Sequence, residues 1–305
     1  MWNRIAAMLS LALVLTTTSL TRAEDPVSAT RADIQKTLGF VPKFFTQFPD
    51  TALPGAWQEF KGLQLNPSTA LSGETKELIG LAVAAQVPCQ YCVIAHTQFA
   101  ELNGADAQER AEAVAIAGME RHASAYFYGL QNKPETLRAE VAKIIANVKS
   151  NRTLKPIVVT DAASAKADIT QTLGFIPEFL RVVPDVALPG VWREMKDLKL
   201  SPNTKLSAKN KALISLAVAS QVPSEGCIIA DTEFAKLAGA TDREIAEAVG
   251  MAAITRNMST LLNGLQDDMR GFVSDINKLV DGVKKAAAAK AKAAKSETAV
   301  ANAKK

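Results

Sequence analysis

The strongest constraint on this chain is that it contains one segment twice. Shifting the sequence by 135 residues lays Leu38–Gln131 on Leu173–Gln266 without a gap, and 50 of the 94 aligned positions are identical. LGFVPKFF (38–45) meets LGFIPEFL (173–180), and PDTALPGAW (49–57) meets PDVALPGVW (184–192). LIGLAVAAQVPCQYC (78–92) meets LISLAVASQVPSEGC (213–227). Agreement this dense is a duplication, so whatever fold one copy adopts the other shares. The 305 residues fit two domains at ~150 residues each. We therefore divide the chain into a leader (1–23), a first copy (24–150), a second copy (151–283) and a Lys/Ala-rich tail (284–305), with the linker around Ser150–Asp161.

Each copy reads as helices. Ser72 is placed to cap a helix running to about Gln86, with Leu78, Ile79, Ala82, Val83 and Ala85 at helical spacing. Pro88 suits the first turn of the next helix, which runs to Asn103 and stops at Gly104. Asp106-x-x-Glu109 has the form of a capping box opening a helix through about Tyr128, matched by Thr241-x-x-Glu244 in the second copy. Shorter helices are expected around Ala32–Leu38 and Pro54–Leu65, and further ones over Pro134–Lys149 and Asp267–Val283. The one strand-like run, Ile157–Thr160, is too short to count. The expected fold is all-α, two tandem helical domains.

Composition agrees and narrows the function. Hydrophobic residues are 48% and charged residues 22%, as in an ordinary globular protein rather than a disordered or collagenous one. The net charge of +4 comes from the ends. Seven lysines against Glu297 in the tail, and Arg4 and Arg22 in the leader, leave a mildly acidic body. That body offers no basic face for nucleic acid. The tail reads as a solvated extension, with attachment to an anionic envelope surface as the sharper alternative.

The leader looks like an address. A short positive start (Met1–Arg4) precedes the apolar run Ile5–Leu15, and Thr21 and Ala23 stand where a signal peptidase would cut before Glu24. Those eleven residues reach about 16 Å as a helix, well short of the ~30 Å hydrocarbon core. The expectation is a cleaved secretory signal and a periplasmic or secreted protein, in a compartment where disulfides persist.

The chemistry-bearing segment is Glu77 followed by Pro88-Cys89-Gln90-Tyr91-Cys92-Val93-Ile94-Ala95-His96. Cys89, Cys92 and His96 fall at i, i+3 and i+7 of one helix and share a face. Cys89 is expected in the first turn, where free N–H groups favour a thiolate. His96 is one turn beyond Cys92 as a proton acceptor, and Glu77 on the preceding helix could orient the imidazole. Nucleophile, base and orienting carboxylate are the parts an activated-thiol site needs. A Cys pair at this spacing must adjust to close a disulfide, which favours a labile, reversible bond over a structural one. The bland alternatives are a plain structural disulfide and a zinc site, which would lack an evident fourth ligand. Covalent haem attachment requires a histidine where Val93 stands.

The spacing Glu77-x11-Cys89-x2-Cys92-x3-His96, followed by NGA (103–105), EAVAIA (112–117) and RHAS (121–124), resembles the alkylhydroperoxidase (AhpD-like) family of the carboxymuconolactone decarboxylase superfamily. The resemblance covers most of both copies. It implies Cys92 as the peroxidatic thiol that becomes a sulfenic acid, Cys89 as the thiol that resolves it, and Glu77 with His96 as a proton relay. Tyr91 stands between the cysteines where the family's original peroxidase has a histidine. The family's habit of assembling through helical faces implies a homo-oligomer.

The second copy has Ala212, Ser224 and Asp231 at the positions of Glu77, Cys89 and His96, and keeps only Cys227. It reads as a degenerate packing partner with a buried, protonated Cys227 that lacks a cationic neighbour. His122, Trp57 and Trp192 read as packing residues. The resulting expectation is an exported thiol-dependent antioxidant enzyme, a peroxidase or disulfide oxidoreductase, acting on a hydroperoxide or disulfide with a thiol electron donor. It needs no cofactor and no metal, and binds no nucleic acid. The alternative is a non-catalytic helical binding or scaffold module retaining a structural disulfide.

Overall fold

The computed structural model describes residues 25–131, 133–150 and 154–303, with side chains to residue 295. The expected signal peptide lies outside the described residues. Among those described there are helices and no strand. The first copy comprises α1 (Pro26–Leu38), α2 (Lys43–Thr46), α3 (Leu53–Glu59), α4 (Gly73–Gln86), α5 (Gln90–Leu102), α6 (Ala107–Gly129) and α7 (Pro134–Lys149). The second repeats the order as α8 (Ala162–Leu173), α9 (Glu178–Arg181), α10 (Leu188–Glu194), α11 (Ala208–Gln221), α12 (Glu225–Leu237), α13 (Asp242–Gly264) and α14 (Met269–Ala303).

The caps fall where the sequence puts them. Ser72 Oγ accepts from Thr75 N at 3.1 Å. Asp106 and Glu109 close a reciprocal capping box, as do Thr241 and Glu244. Four details differ from expectation. α1 starts at Pro26 rather than Ala32, because Asp25 accepts from Val27 N and Ser28 N and proline needs no donor at that position. α5 starts at Gln90, so Pro88 stands before the helix and Cys89 is its N-cap. The expected Pro54–Leu65 helix widens into a π-helical turn at Phe60–Gln64, and its counterpart α10 does the same at Met195–Leu200. The tail, finally, continues α14 as one helix to Ala303.

The two copies are interleaved rather than laid end to end. α4 is buried on nearly every side, as its unbroken apolar run requires. It packs on α5 and α6 of its own copy and on α11 and α13 of the other, while α11 packs on α6. Leu78, Ile79 and Val83 therefore share one core with Leu213, Ile214 and Val218. The last helix of each copy crosses over: α7 packs on α12 and α14 on α5.

Reciprocal clamps fix this pseudo-twofold arrangement. Glu112 accepts from Lys205 N and Leu206 N at 3.0 and 2.9 Å, and its counterpart Glu247 accepts from Ala70 N and Leu71 N at 2.9 and 2.8 Å. Glu140 holds Glu178 N, and its counterpart Asp275 holds Lys43 N. Trp57 and Trp192 are core, as expected, and each indole N–H donates to a carboxylate, Asp33 or Asp168, at 2.7 Å.

Candidate active site

The first copy's site is assembled by α4, α5 and the π turn. The N-cap position lets Cys89 Sγ accept from Cys92 N at 3.2 Å, and the two cysteines form a disulfide with Cα atoms 5.3 Å apart. Both are buried, Cys89 wholly and Cys92 4% exposed. Glu77 on α4 meets His96 on α5, with Oε2 2.6 Å from Nδ1. All four residues singled out in the sequence thus fall in one place.

Four further residues complete the site. Gln64 Nε2, in the π turn, donates to the other Glu77 oxygen, Oε1, at 3.1 Å. The buried Lys76 steadies that turn by donating to Leu63 O and Asn66 O at 2.9 and 2.7 Å. Thr255 Oγ1 reaches from α13 of the second copy to within 3.4 Å of His96 Nε2. Gly80 lies under the imidazole, and a Cβ there would overlap the ring. With both ring nitrogens contacted and its face against bare backbone, His96 has one place to sit. The glutamate is held at both oxygens.

Both copies contribute to the apolar cluster that holds the disulfide. Cys89 and Cys92 share a cluster with Phe44, Phe45 and Trp57 of their own copy and with Leu262, Phe272 and Ile276 of the other. Tyr91, between the cysteines, bonds elsewhere than the Glu77–His96 pair: its hydroxyl donates to Asp267 O at 2.6 Å, in the turn before α14. It ties the start of α5 to the helix that lies over it.

At the equivalent place in the second copy a different set stands. Lys199 replaces Gln64, Ala212 replaces Glu77, Asp231 replaces His96, Ser215 replaces Gly80, and Glu120 reaches across from α6 where Thr255 reaches the first site. Lys199 Nζ lies 2.6 Å from Asp231 Oδ1 and also hydrogen-bonds Glu120. Burial opposes the lysine's charge, but Asp231 and Glu120 outweigh it and raise its pKa. Burial and the neighbouring Glu120 push the Asp231 carboxyl up. Cys227 is buried and free, and burial, Glu120 and Asp231 push its thiol up. The expectation that no cation stands beside Cys227 is corrected: Lys199 is there, but two carboxylates hold it and their effect prevails. The thiol stays protonated. His122 is exposed and packs edge-on against Tyr126 at 5.2 Å.

The sequence model of the Carboxymuconolactone decarboxylase family matches residues 51–127 and again residues 187–266, one match in each copy. The chain belongs to that family. Each match contains the two central helices and the cysteine position of its copy, so the family frame is present twice in one chain. A crystal structure of a protein named as a gamma-carboxymuconolactone decarboxylase subunit from Burkholderia xenovorans is similar in fold, with a TM-score of 0.50 and 15% identity over 85% of this chain and 98% of that one. No curated protein matches the chain.

Proposed function

We propose that the protein is an exported thiol-dependent oxidoreductase of the alkylhydroperoxidase type. The observation that carries this reading is the Cys89–Cys92 disulfide one helical turn from a histidine that a carboxylate holds at 2.6 Å. A disulfide that merely braced the fold would have no use for a held imidazole, whereas thiolate chemistry requires a base.

The reaction starts from the reduced pair. His96, held by Glu77, takes the Cys92 proton, and the thiolate attacks the terminal oxygen of a hydroperoxide ROOH. The O–O bond breaks, ROH leaves with the proton returned by the relay, and Cys92 becomes a sulfenic acid. The Cys89 thiolate then attacks the Cys92 sulfur, water leaves, and the disulfide forms. An external dithiol returns two electrons and two protons. The signal-like leader supports an oxidising, extracytoplasmic setting for this cycle.

Stopped-flow peroxide consumption by the purified protein with a dithiol donor tests the reading. Turnover that requires both Cys89 and Cys92 is expected; a disulfide that neither forms nor breaks during peroxide consumption would overturn it. The complete burial of Cys89 favours one competing reading, a scaffold with a structural bridge. Resistance of the native disulfide to millimolar dithiol would select that alternative.

A further inference from the structure

In the second copy, the positions that hold phenylalanines around the first copy's cysteines carry smaller side chains. A cavity of about 580 Å³ opens beside α12, within the ~300–1,000 Å³ range of small-molecule sites. Its origin is in the sequence. Phe45, Phe48, Phe60 and Phe272 pack around the first copy's cysteines. Leu180, Val183, Met195 and Leu137 occupy the same four positions in the second copy and line the cavity. Ala212 in place of Glu77 removes a further side chain. Tyr126 and Phe127 exceed their counterparts Leu261 and Leu262 but do not refill the space.

The walls are mainly apolar; His122, Asn147, Thr172 and Glu194 also line them, and the charged cluster on them is Glu120, Lys199 and Asp231. That cluster holds one cation between two carboxylates. Asp231 is fully buried, and its Oδ2 receives no hydrogen bond from any described residue. A ligand carboxylate placed there would bury a further charge against the Glu120 and Asp231 carboxyls. A ligand ammonium would meet Lys199, which both carboxylates already hold. A hydroxyl can donate to or accept from the Asp231 oxygen, whichever state it is in, without adding charge.

We propose that this cavity binds a neutral, mainly apolar small molecule bearing a hydroxyl group, a medium-chain alcohol in size, with the hydroxyl at the Glu120–Lys199–Asp231 end. The duplicated half is then a binding unit built on the frame of the redox half. The proposal rests on the second copy alone and stands whether or not the cysteine pair turns over peroxide.

Isothermal titration of the purified protein with decan-1-ol, decanoate and decylamine tests it. Decan-1-ol should bind once per chain, and the two charged analogues at least about tenfold more weakly. The variant Leu180→Phe/Val183→Phe, which restores the first copy's residues, should lose the site. Met195→Phe gives the same test with one substitution should the double variant fail to fold. Asp231→Ala, which removes the hydrogen-bond partner, should weaken decan-1-ol by about tenfold, the size of one buried hydrogen bond to a strong partner. Absence of decan-1-ol binding, unchanged affinity in a folded filling variant, or tighter binding of either charged analogue would overturn the proposal.

Discussion

At the residue scale, the proposed roles of the cysteine pair and of the Glu77–His96 contact can be separated by substitution. Cys89→Ser under peroxide should leave Cys92 as a trapped sulfenic acid, read by a sulfenic-selective probe and peptide mapping, while Cys92→Ser should abolish fast oxidation. A sulfenic acid on Cys89 instead would reverse the assignment of the pair. His96→Ala and Glu77→Gln should each slow thiol oxidation by about 10²–10⁴. Their combined effect should be far from additive because Glu77 acts through the ring it holds at 2.6 Å. Gly80→Ala should mimic the loss of His96, since the added methyl would displace the ring. In the other copy, Cys227 should be the one free thiol per chain in denatured, air-oxidised protein, and should resist alkylation in the native state. Its raised pKa has a sign: as pH climbs past the ordinary thiol value the unfolded chain gives up this proton and the folded one does not. The Cys227 contribution therefore erodes stability on the alkaline side, measurable as a lower denaturation midpoint that Cys227→Ser relieves.

At the element scale, access to the disulfide should depend on a helix from the other half of the chain. Phe272 and Ile276 on α14 belong to the same apolar cluster as the pair, α14 packs on α5, and Tyr91 ties α5 to the turn before that helix. Tyr91→Phe removes one hydrogen bond, about 1 kcal/mol, and should speed reduction of the disulfide by dithiol a fewfold without unfolding the protein. An unchanged reduction rate would mean that α14 does not limit access. Most helices were legible because their caps are written locally: Ser72, Asp106 and Thr241 each act on backbone within three residues. The π turns were not, since over one turn the apolar spacing of Phe60–Gln64 suits either helix type. The same turns carry Gln64 and Lys199, so the misreading hid two site residues. Glu77, Cys89, Cys92 and His96 could be read from spacing along two adjacent helices. Thr255 could not, because 159 residues separate it from His96 and only the interleaving joins them. A signal did exist in the repeat itself: Gln64/Lys199, Gly80/Ser215 and Glu120/Thr255 are matched positions that change together with Glu77, Cys89 and His96.

At the scale of the whole molecule, neither copy is a finished domain. Glu112 and Glu247 hold backbone of the opposite copy, and α7 and α14 cover sites that are not their own. Residues 24–150 expressed alone should therefore fail to unfold cooperatively as a monomer, whereas co-expression with the remainder should restore a cooperative transition. A cooperative monomer from either half would contradict the interleaved architecture. Glu112→Ala should cost about 1–3 kcal/mol, because it leaves the buried Leu206 N–H, and the Lys205 N–H beside it, without an acceptor. The exchange of Glu120 and Thr255 between sites carries a consequence for how such a chain can change. In a symmetric dimer of single-copy chains, every substitution enters both sites at once, so a mutation useful to one is forced on the other. Fusing the copies removes that obligation. One half can then keep its cysteine pair and Glu77–His96 contact while the other loses them, even though each still lends the other a side chain. Inherited symmetry supplied the frame, and the covalent link between the halves released them from it.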